Sequence, residues 1–272
     1  MLICPNCGLS LEKQGSSFKC DKGHSFDIAS AGYCNLLLGS KPGDFMGDSK
    51  EMVAARRRFL DGGAYEPLRQ ALCKMVLDHA PEGAVKVLDA GCGEGYYTGA
   101  VARALTETGH ELCMIGADIA KSATAYAAKR DKLTQYITAN SYKLPVKSAG
   151  ADIILSLFAP CPAAEFERIL KPEGCVIMAV PGTEHLWELK KAIYDEPYEN
   201  REDKHSLEGF NLVGREKLSY KARISGKDNI QALFSMTPYI HRTGKESMER
   251  LRAIEEIELT LAFVLLCFQR EK

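Results

Sequence analysis

Three cysteines and one histidine near the N-terminus have the spacing of a metal site. Cys4 and Cys7 form a C-x2-C pair, and Cys20 and His24 follow as C-x3-H. Structural zinc sites use four thiolate or imidazole ligands at the corners of a tetrahedron. Because these four residues would fill every coordination position, they predict a structural zinc ion. The alternative is free thiols and a surface histidine. A short segment with few apolar residues would then have to fold without a metal or a cross-link to stabilise it.

The second group of residues is a glycine-rich turn that follows a short apolar run. Residues 85–89 have strand character, and Gly91-Cys92-Gly93-Glu94-Gly95 comes next, before a helical stretch. Glycines let the backbone turn sharply and let a ligand lie against bare peptide. A dinucleotide fold would need its third glycine where Tyr96 stands, and that ring would block a pyrophosphate. The turn therefore favours a nucleoside cofactor without phosphates, S-adenosylmethionine, and a purely structural turn is the remaining alternative.

Polar residues further along the chain fit the same cofactor. Asp118 ends the next apolar run and is placed to accept hydrogen bonds from both ribose hydroxyls. Asn140 and Ser141 precede a Leu-Pro loop and are expected beside the adenine. Open α/β sheets bind ligands at the carboxyl ends of their strands, which is where these residues fall. With Gly91 and Gly93, they form the cofactor site expected from the residues themselves.

The elements that must position these residues alternate between strand and helix patterns. Apolar runs at 85–89, 112–116, 152–158, 175–180 and 259–268 predict strands, and residues 96–105, 122–130 and 165–170 have helical spacing. Such alternation predicts βαβ units and a largely parallel sheet. We expect a Rossmann-like α/β fold of the class I methyltransferase type, with a mainly parallel seven-stranded sheet. The expected domains are a zinc-ribbon-like module at 1–37, a linker with a basic helix at 38–63, and the methyltransferase domain at 64–272.

Composition excludes several classes of protein. The net charge is -1 over 272 residues, so any nucleic-acid ligand must meet a local basic face. The N-terminus lacks a secretory signal, and the longest apolar run, 261–268, is too short to span a bilayer. Ten cysteines without a disulfide-like framework fit reduced thiols, so we expect a cytoplasmic protein with no membrane partner. The seven cysteines outside the metal group are expected to pack as small hydrophobic residues.

Motifs along nearly the whole chain resemble the bacterial large-subunit ribosomal RNA (guanine-N1-)methyltransferases. After the cysteine and histidine pattern, the resemblance is carried by Phe26-Asp27, Gly32-Tyr33-Cys34-Asn35-Leu36-Leu37, Gly47-Asp48-Ser49, Ala55-Arg56-Arg57, Tyr65-Glu66-Pro67-Leu68, the glycine turn, Ala159-Pro160-Cys161, Pro181-Gly182, His185-Leu186 and Met236-Thr237-Pro238. It implies zinc on the four N-terminal ligands and cofactor contacts from Tyr65, Gly93, Glu94 and His185. It further implies methyl transfer from S-adenosylmethionine to N1 of one guanine in a hairpin loop of 23S rRNA.

Methylation at guanine N1 requires exposure of the base and removal of its N1 proton. Asp48, Glu51, Asp61 or a backbone carbonyl near Ala159-Pro160 could accept that proton, and no spacing selects one of them. The catalytic group therefore stays unknown at this stage. RNA phosphates would meet a basic patch in the linker helix, formed by Lys50, Arg56, Arg57 and Arg58. A solvated helix face is the alternative for each of these four residues.

Two other functions fit the residues. One is a methyltransferase for tRNA or a small molecule, in which the zinc module only completes the fold. The other is a non-catalytic RNA-binding protein with a vestigial cofactor fold, against which the intact glycine turn argues. The oligomeric state is also open, with a homodimer as the alternative to a monomer.

Overall fold

The structure is a computed structural model, and it describes residues 1–39, 47–200, 206–237, 239 and 243–271. Most of the polar connector that the sequence places between the zinc module and the basic helix, residues 40–46, lies outside the described residues. Pro238 of the Met-Thr-Pro motif also lies outside them. Within the described ranges, no helix is long and apolar enough to cross a membrane.

The N-terminal segment folds into a small antiparallel sheet. Its strands are β1 (Glu12–Gln14), β2 (Ser17–Lys19) and β3 (Ser25–Asp27), in that spatial order. A fourth strand, β4 (Cys34–Asn35), is not part of this sheet and belongs to the main one. The module is thus connected to the rest of the protein by backbone hydrogen bonds as well as by the chain.

The main sheet carries helices on its connections, as the alternating pattern predicts. Its other strands are β5 (Ala84–Ala90), β6 (Glu111–Asp118), β7 (Thr134–Thr138), β8 (Ala151–Leu157), β9 (Leu170–Pro181), β10 (Phe210–Ser225) and β11 (Glu256–Arg270). The helices are α1 (Lys50–Asp61), α2 (Glu66–His79), α3 (Tyr96–Glu107), α4 (Lys121–Arg130), α5 (Ala163–Ile169), α6 (Trp187–Ile193), α7 (Lys227–Ser235) and α8 (Lys245–Ala253).

The strand order is β10-β11-β9-β8-β5-β6-β7-β4, and β11 is antiparallel to both of its neighbours. The described sheet therefore has eight strands, not the seven expected from the sequence. The eighth is β4, two residues from the zinc module that pair in parallel with the edge of β7. Without β4, the other seven strands form the expected mainly parallel sheet.

Apolar side chains cover both faces of the sheet. On one face, Leu68 and Leu72 of α2 pack with Val101 and Leu105 of α3, all fully buried. On the other face, a second core includes strand residues such as Leu88. Leu2, Leu11, Phe18 and Leu36 of the zinc module belong to that second core. The module is therefore packed into the body of the protein and is not a flexible appendage.

Candidate active site

A cleft of about 830 Å³ opens where β5, β6, β7 and β8 end at their carboxyl edges. This is the edge at which open α/β sheets bind ligands. The structure brings all eight predicted cofactor residues to this one cleft. They are Tyr65, Gly91, Gly93, Glu94, Asp118, Asn140, Ser141 and His185.

The glycine turn and Asp118 hold each other in place. Gly91, Gly93 and Gly95 have φ angles of +99°, +54° and +83°, a region that other residues rarely adopt. The Gly93 N–H donates to Asp118 Oδ2 at 2.9 Å, and the Ala120 N–H donates to Asp118 Oδ1 at 2.7 Å. Burial raises the pKa of Asp118, and these two hydrogen bonds to the ionised form oppose that rise. The same carboxylate that is predicted to hold the ribose therefore also orders the turn.

Glu94 is a buried carboxylate with a cationic neighbour. Arg130 Nη2 lies 2.8 Å from Glu94 Oε2 and 2.8 Å from Asp61 Oδ1, and neither ion pair has aligned hydrogen-bond geometry. Burial raises the pKa of Glu94, and the Arg130 charge acts in the opposite direction. Asp61, one of the predicted proton acceptors, is thus held outside the cleft by ion pairs with Arg130 and Arg57.

Tyr65 and His185 are in contact in the cleft wall. Tyr65 Oη lies 3.3 Å from His185 Nε2, and the Ala262 N–H donates to His185 Nδ1 at 3.3 Å. Burial, together with the charge of Lys190, lowers the pKa of His185 to about 3, so its ring is neutral at pH 7. Because Nδ1 accepts a hydrogen bond, the single proton of the neutral ring must sit on Nε2 and point to Tyr65. The Tyr65 hydroxyl hydrogen is then left to be donated to a ligand.

Asn140 and Ser141 follow β7 and line the cleft. Asn140 Oδ1 accepts a hydrogen bond from the Tyr142 N–H at 2.9 Å, which fixes the direction of the loop. Asn140 also lines a second cavity of about 330 Å³, whose other walls include the Cys4–Gly8 knuckle of the zinc module. The cleft and the zinc module are therefore separated by the thickness of one loop.

Sequence reasoning missed Asp89, which is buried in the cleft wall. Its Oδ2 accepts a hydrogen bond from the Thr98 hydroxyl at 2.6 Å, and its Oδ1 has no partner among the described residues. Burial raises the pKa of Asp89 to about 7. A buried acceptor without a partner is costly unless a ligand supplies the donor. The signal was present in the sequence, because Asp89 is the acid that ends the strand before the glycine turn.

Two exposed aromatic residues border the cleft, and sequence reasoning missed both. The side chains of Phe158 and Tyr142 are 46% and 65% exposed. Phe158 follows β8 with a φ of +55°, an outlying conformation for a bulky residue. Strained backbone of this kind is concentrated at functional sites. Only the neighbouring Ala159-Pro160 pair was singled out from the sequence.

The structure places the four predicted proton acceptors in different environments. Asp48 lines the cleft, whereas Glu51 and Asp61 are exposed and do not. The carbonyl groups of Ala159 and Pro160 lie 3.5 Å and 3.4 Å from the Ser156 hydroxyl, which donates toward them. Among the candidates, Asp48 is therefore the carboxylate that faces the space where a ligand would lie.

The four residues of the predicted basic patch have different surroundings. Arg56 lines the cleft in an ion pair with Asp48. Arg57 lies 3.6 Å from Asp61 and its guanidinium lies 5.2 Å from the centre of the Tyr126 ring. Arg58 donates to the Asp228 carbonyl at 3.0 Å, and Lys50 is exposed at the start of α1. Lys50, Arg57 and Arg58 thus remain outside the cleft.

The four predicted zinc ligands converge, with all of their ligand atoms within 4.8 Å of one another. The distance from Cys7 Sγ to Cys20 Sγ is 3.7 Å, and His24 Nδ1 lies 3.5 Å and 3.4 Å from Cys4 Sγ and Cys20 Sγ. Around a tetrahedral zinc ion, neighbouring ligand atoms are about 3.8 Å apart for two sulfurs and about 3.6 Å for sulfur and nitrogen. These three distances are close to those of a tetrahedral zinc site, so the four residues are placed to hold a zinc ion.

Comparisons with known proteins agree with this geometry. A zinc-ribbon family model described as "RlmA, N-terminal" matches residues 2–39, and one described as "Methyltransferase domain" matches residues 81–236. The 23S rRNA (guanine(748)-N(1))-methyltransferase of Streptomyces fradiae is 31% identical, over 97% of this chain and 95% of that one. The chain belongs to the 23S rRNA (guanine-N1-)-methyltransferase family.

Other members and structures are consistent with this family. Bacillus subtilis YxjB, named as a candidate 23S rRNA (guanine-N(1)-)-methyltransferase, is 28% identical over 96% of this chain and 94% of its own. A candidate type II methyltransferase from Anaeromyxobacter dehalogenans matches with a TM-score of 0.50 and 17% identity, over 74% of this chain and 95% of that one, so it supports the fold alone. As a member of the 23S rRNA (guanine-N1-)-methyltransferase family, the protein uses S-adenosylmethionine and carries a structural zinc ion, which confirms both cofactor predictions.

Proposed function

We propose that this protein methylates N1 of a specific guanine in a hairpin loop of 23S rRNA. The observation that carries the proposal is the match to a 23S rRNA (guanine-N1)-methyltransferase over 97% of the chain. The cleft supports it, because a cofactor site and a bordering pair of exposed aromatic residues lie together. Bases of single-stranded loops are recognised by stacking on aromatic side chains, and extruding a loop base costs less than extruding a paired one.

Each predicted cofactor residue has a proposed task. When bound, S-adenosylmethionine supplies a methyl group on a sulfonium sulfur, and transfer forms the N–C bond as the S–C bond breaks. Asp118 would hold the ribose hydroxyls, and Asn140 with Ser141 would border the adenine. Gly91 and Gly93 would let the ligand lie against the turn, with Glu94 and the Tyr65–His185 pair as further contacts. Fixed positioning of this kind supplies much of the rate in a displacement reaction.

Phe158 and Asp48 are the residues that we assign to the base. Phe158 would stack on the extruded guanine at the edge of the cleft. Asp48 would accept the N1 proton, because it is the candidate carboxylate that lines the cleft. The backbone carbonyls near Ala159 and Pro160 are too weakly basic to take up a proton and would serve only as hydrogen-bond acceptors.

The remaining predictions complete the proposal. We propose a zinc module at 1–37, a linker with a basic helix at 38–63 and a methyltransferase domain at 64–272. The small antiparallel sheet and the zinc-ribbon match to residues 2–39 support the first boundary. Phosphates of the rRNA hairpin would contact Lys50, Arg57 and Arg58. The methylation reaction would take place in the cytoplasm. A homodimer remains a prediction.

The test is a methylation assay with labelled S-adenosylmethionine. The substrates are 23S rRNA hairpin transcripts, assembled large subunits, tRNA and free nucleosides. Label is expected on one hairpin of the rRNA and on N1 of guanine after digestion. A transcript whose loop guanines are replaced one at a time by adenine should lose the label at a single position. Label on tRNA, or on free nucleosides alone, would contradict the proposal and favour one of the alternative substrates.

A further inference from the structure

The cleft has an uneven distribution of charge. Of the residues that the structure describes, four carboxylates line it: Asp48, Asp89, Glu94 and Asp118. Among the described residues, a single arginine or lysine lines it, and that residue is Arg56. The neutral His185 adds no positive charge. Within the described part of the chain, a ligand that enters this cleft with an anionic group therefore has one cationic side chain to meet.

The cofactor has such a group. Its methionine part carries an ammonium, a sulfonium and one α-carboxylate. The acidic side chains of the cleft suit the two positive groups, and those that are ionised repel the carboxylate unless a cation lies beside it. We infer that Arg56 binds the α-carboxylate of the cofactor. The inference deepens the proposed function, because it rests on the same cofactor site.

The position of Arg56 agrees with this role. A Cβ built on Gly93 would lie 3.9 Å from Arg56 Nη1, so the guanidinium is beside the glycine turn. The ion pair with Asp48 Oδ2 uses that same Nη1 atom. A guanidinium has five N–H donors in a planar fork, so a second carboxylate can bind while the first stays in place. A pre-positioned arginine of this kind suits the bidentate recognition of a carboxylate.

The neighbouring arginines on α1 have different surroundings. The Arg56 side chain is 26% exposed, whereas those of Arg57 and Arg58 are 50% and 55% exposed. Arg57 and Arg58 do not line the cleft. Consecutive residues of a helix point in different directions, so Arg56 can face the cofactor while its neighbours face solvent. The RNA role predicted from the sequence for all three is therefore reassigned here for Arg56 alone.

The test measures binding and needs no turnover. Calorimetry of the full-length protein would use S-adenosylhomocysteine and its decarboxylated analogue, which keeps the ammonium and lacks the carboxylate. Arg56→Gln is expected to weaken S-adenosylhomocysteine binding by roughly 10- to 100-fold, the usual range for a hydrogen bond to a charged group. The affinity for the decarboxylated analogue should not change. Arg56→Lys should recover part of the loss, and the control Arg252→Gln, at an exposed residue of α8 that does not line the cleft, should bind both ligands as the wild type does.

Each other outcome has a distinct meaning. Equal losses for both ligands in Arg56→Gln would overturn the inference, because they would show general damage to the cleft. Normal S-adenosylhomocysteine binding with weakened binding of an rRNA hairpin would overturn it in favour of a phosphate contact. A wild-type protein that binds neither ligand would contradict the cofactor site, and the proposed function with it.

Discussion

Gly91 and Ala159 are in contact across the cleft floor: a Cβ built on Gly91 would lie 2.5 Å from the Ala159 Cβ. The turn proposed to hold the cofactor and the loop proposed to hold the base thus meet at one point. A side chain at position 91 would have to displace the loop. On the proposed assignment, the distance between the methyl donor and the acceptor base would depend partly on the absence of a side chain at position 91.

We predict that Gly91→Ala impairs both cofactor binding and RNA methylation. Part of the cost comes from the φ of +99°, and such left-handed strain is worth about 1–2 kcal/mol. Gly83→Ala is the matched control, because Gly83 has a φ of +77° with nothing within 4 Å of the added Cβ. Calorimetry with S-adenosylhomocysteine should show a loss for the first variant only. Adding Ala159→Gly should restore part of it, and no rescue would contradict the contact argument.

Tyr65→Phe tests the hydroxyl that His185 orients. The variant should weaken S-adenosylhomocysteine binding by about 1 kcal/mol, the net worth of one neutral hydrogen bond. Tyr220→Phe is the control, since the Tyr220 hydroxyl donates to the nearby Ala64 carbonyl at 2.9 Å and does not line the cleft. If both variants bind the ligand as the wild type does, Tyr65 only packs against the core.

Asp89 predicts a pH dependence of stability for the cofactor-free protein. Folding raises its pKa to about 7, whereas the unfolded chain loses this proton near pH 4. The contribution of Asp89 to stability is therefore fully present below about pH 4 and is lost as the pH rises through 7. Asp89→Asn should remove this loss, so its stability relative to the wild type rises by up to about 1.4 kcal/mol per pH unit in that window. Urea unfolding at pH 5, 6 and 7 measures the difference.

A second variant checks the cause of this shift. The Thr98 hydroxyl donates to the ionised carboxylate and lowers the pKa of Asp89. Thr98→Val should therefore extend the same loss of stability to higher pH. Parallel pH curves for wild type and Asp89→Asn would mean that Asp89 titrates as an ordinary aspartate in the folded protein.

Phe158→Ala tests the stacking surface. Base–aromatic stacking contributes about 1–3 kcal/mol per base, so kcat/KM for the rRNA hairpin should fall roughly 10- to 100-fold. Binding of S-adenosylhomocysteine should be unchanged. Leu212→Ala is the control, because Leu212 is also 46% exposed and lies outside the cleft. Equal activity of the two variants would remove Phe158 from the substrate site.

Loss of a zinc ligand is expected to destabilise the methyltransferase domain as well as the zinc module. Cys7→Ser should lose the metal and unfold the N-terminal residues. β4 pairs with β7, and Leu36 belongs to the second core of the main sheet. The midpoint temperature of thermal unfolding of the methyltransferase domain should therefore also fall, by about 2–8 °C. Metal analysis and calorimetry measure both effects. Cys113→Ser, an exposed thiol outside the cluster, should change neither, and an unshifted main transition in Cys7→Ser would contradict the coupling.

The sequence predicted the elements that have a strong local signal. The strand before the glycine turn, the two helices that follow and the C-terminal strand are all present near the expected positions. It missed β10. In this strand half-buried and exposed positions alternate and several residues are charged, so no apolar run marks it. It also missed β4, because two residues carry no periodic pattern.

The presence or absence of a local sequence signal also explains which site residues could be predicted. Glycines, paired cysteines and the strand-ending Asp118 are recognisable because their spacing reflects a local turn or a ligand geometry. Phe158 is functional in our proposal only because it is exposed and strained, and neither property is visible in the sequence. Arg56 stands within a run of three arginines, and only the three-dimensional arrangement separates it from its neighbours.

The pairing of β4 with β7 bears on how the chain emerges from the ribosome. Cys34 and Asn35 pair with Ile137 and Thr138, so about a hundred residues must be synthesised before the strand finds its partner. During that interval the metal ligands, all within the first 24 residues, are already complete. Early metal capture would hold the nascent N-terminus in shape and keep its edge strand ready. The order of synthesis therefore lets metal binding precede the pairing of β4 with β7.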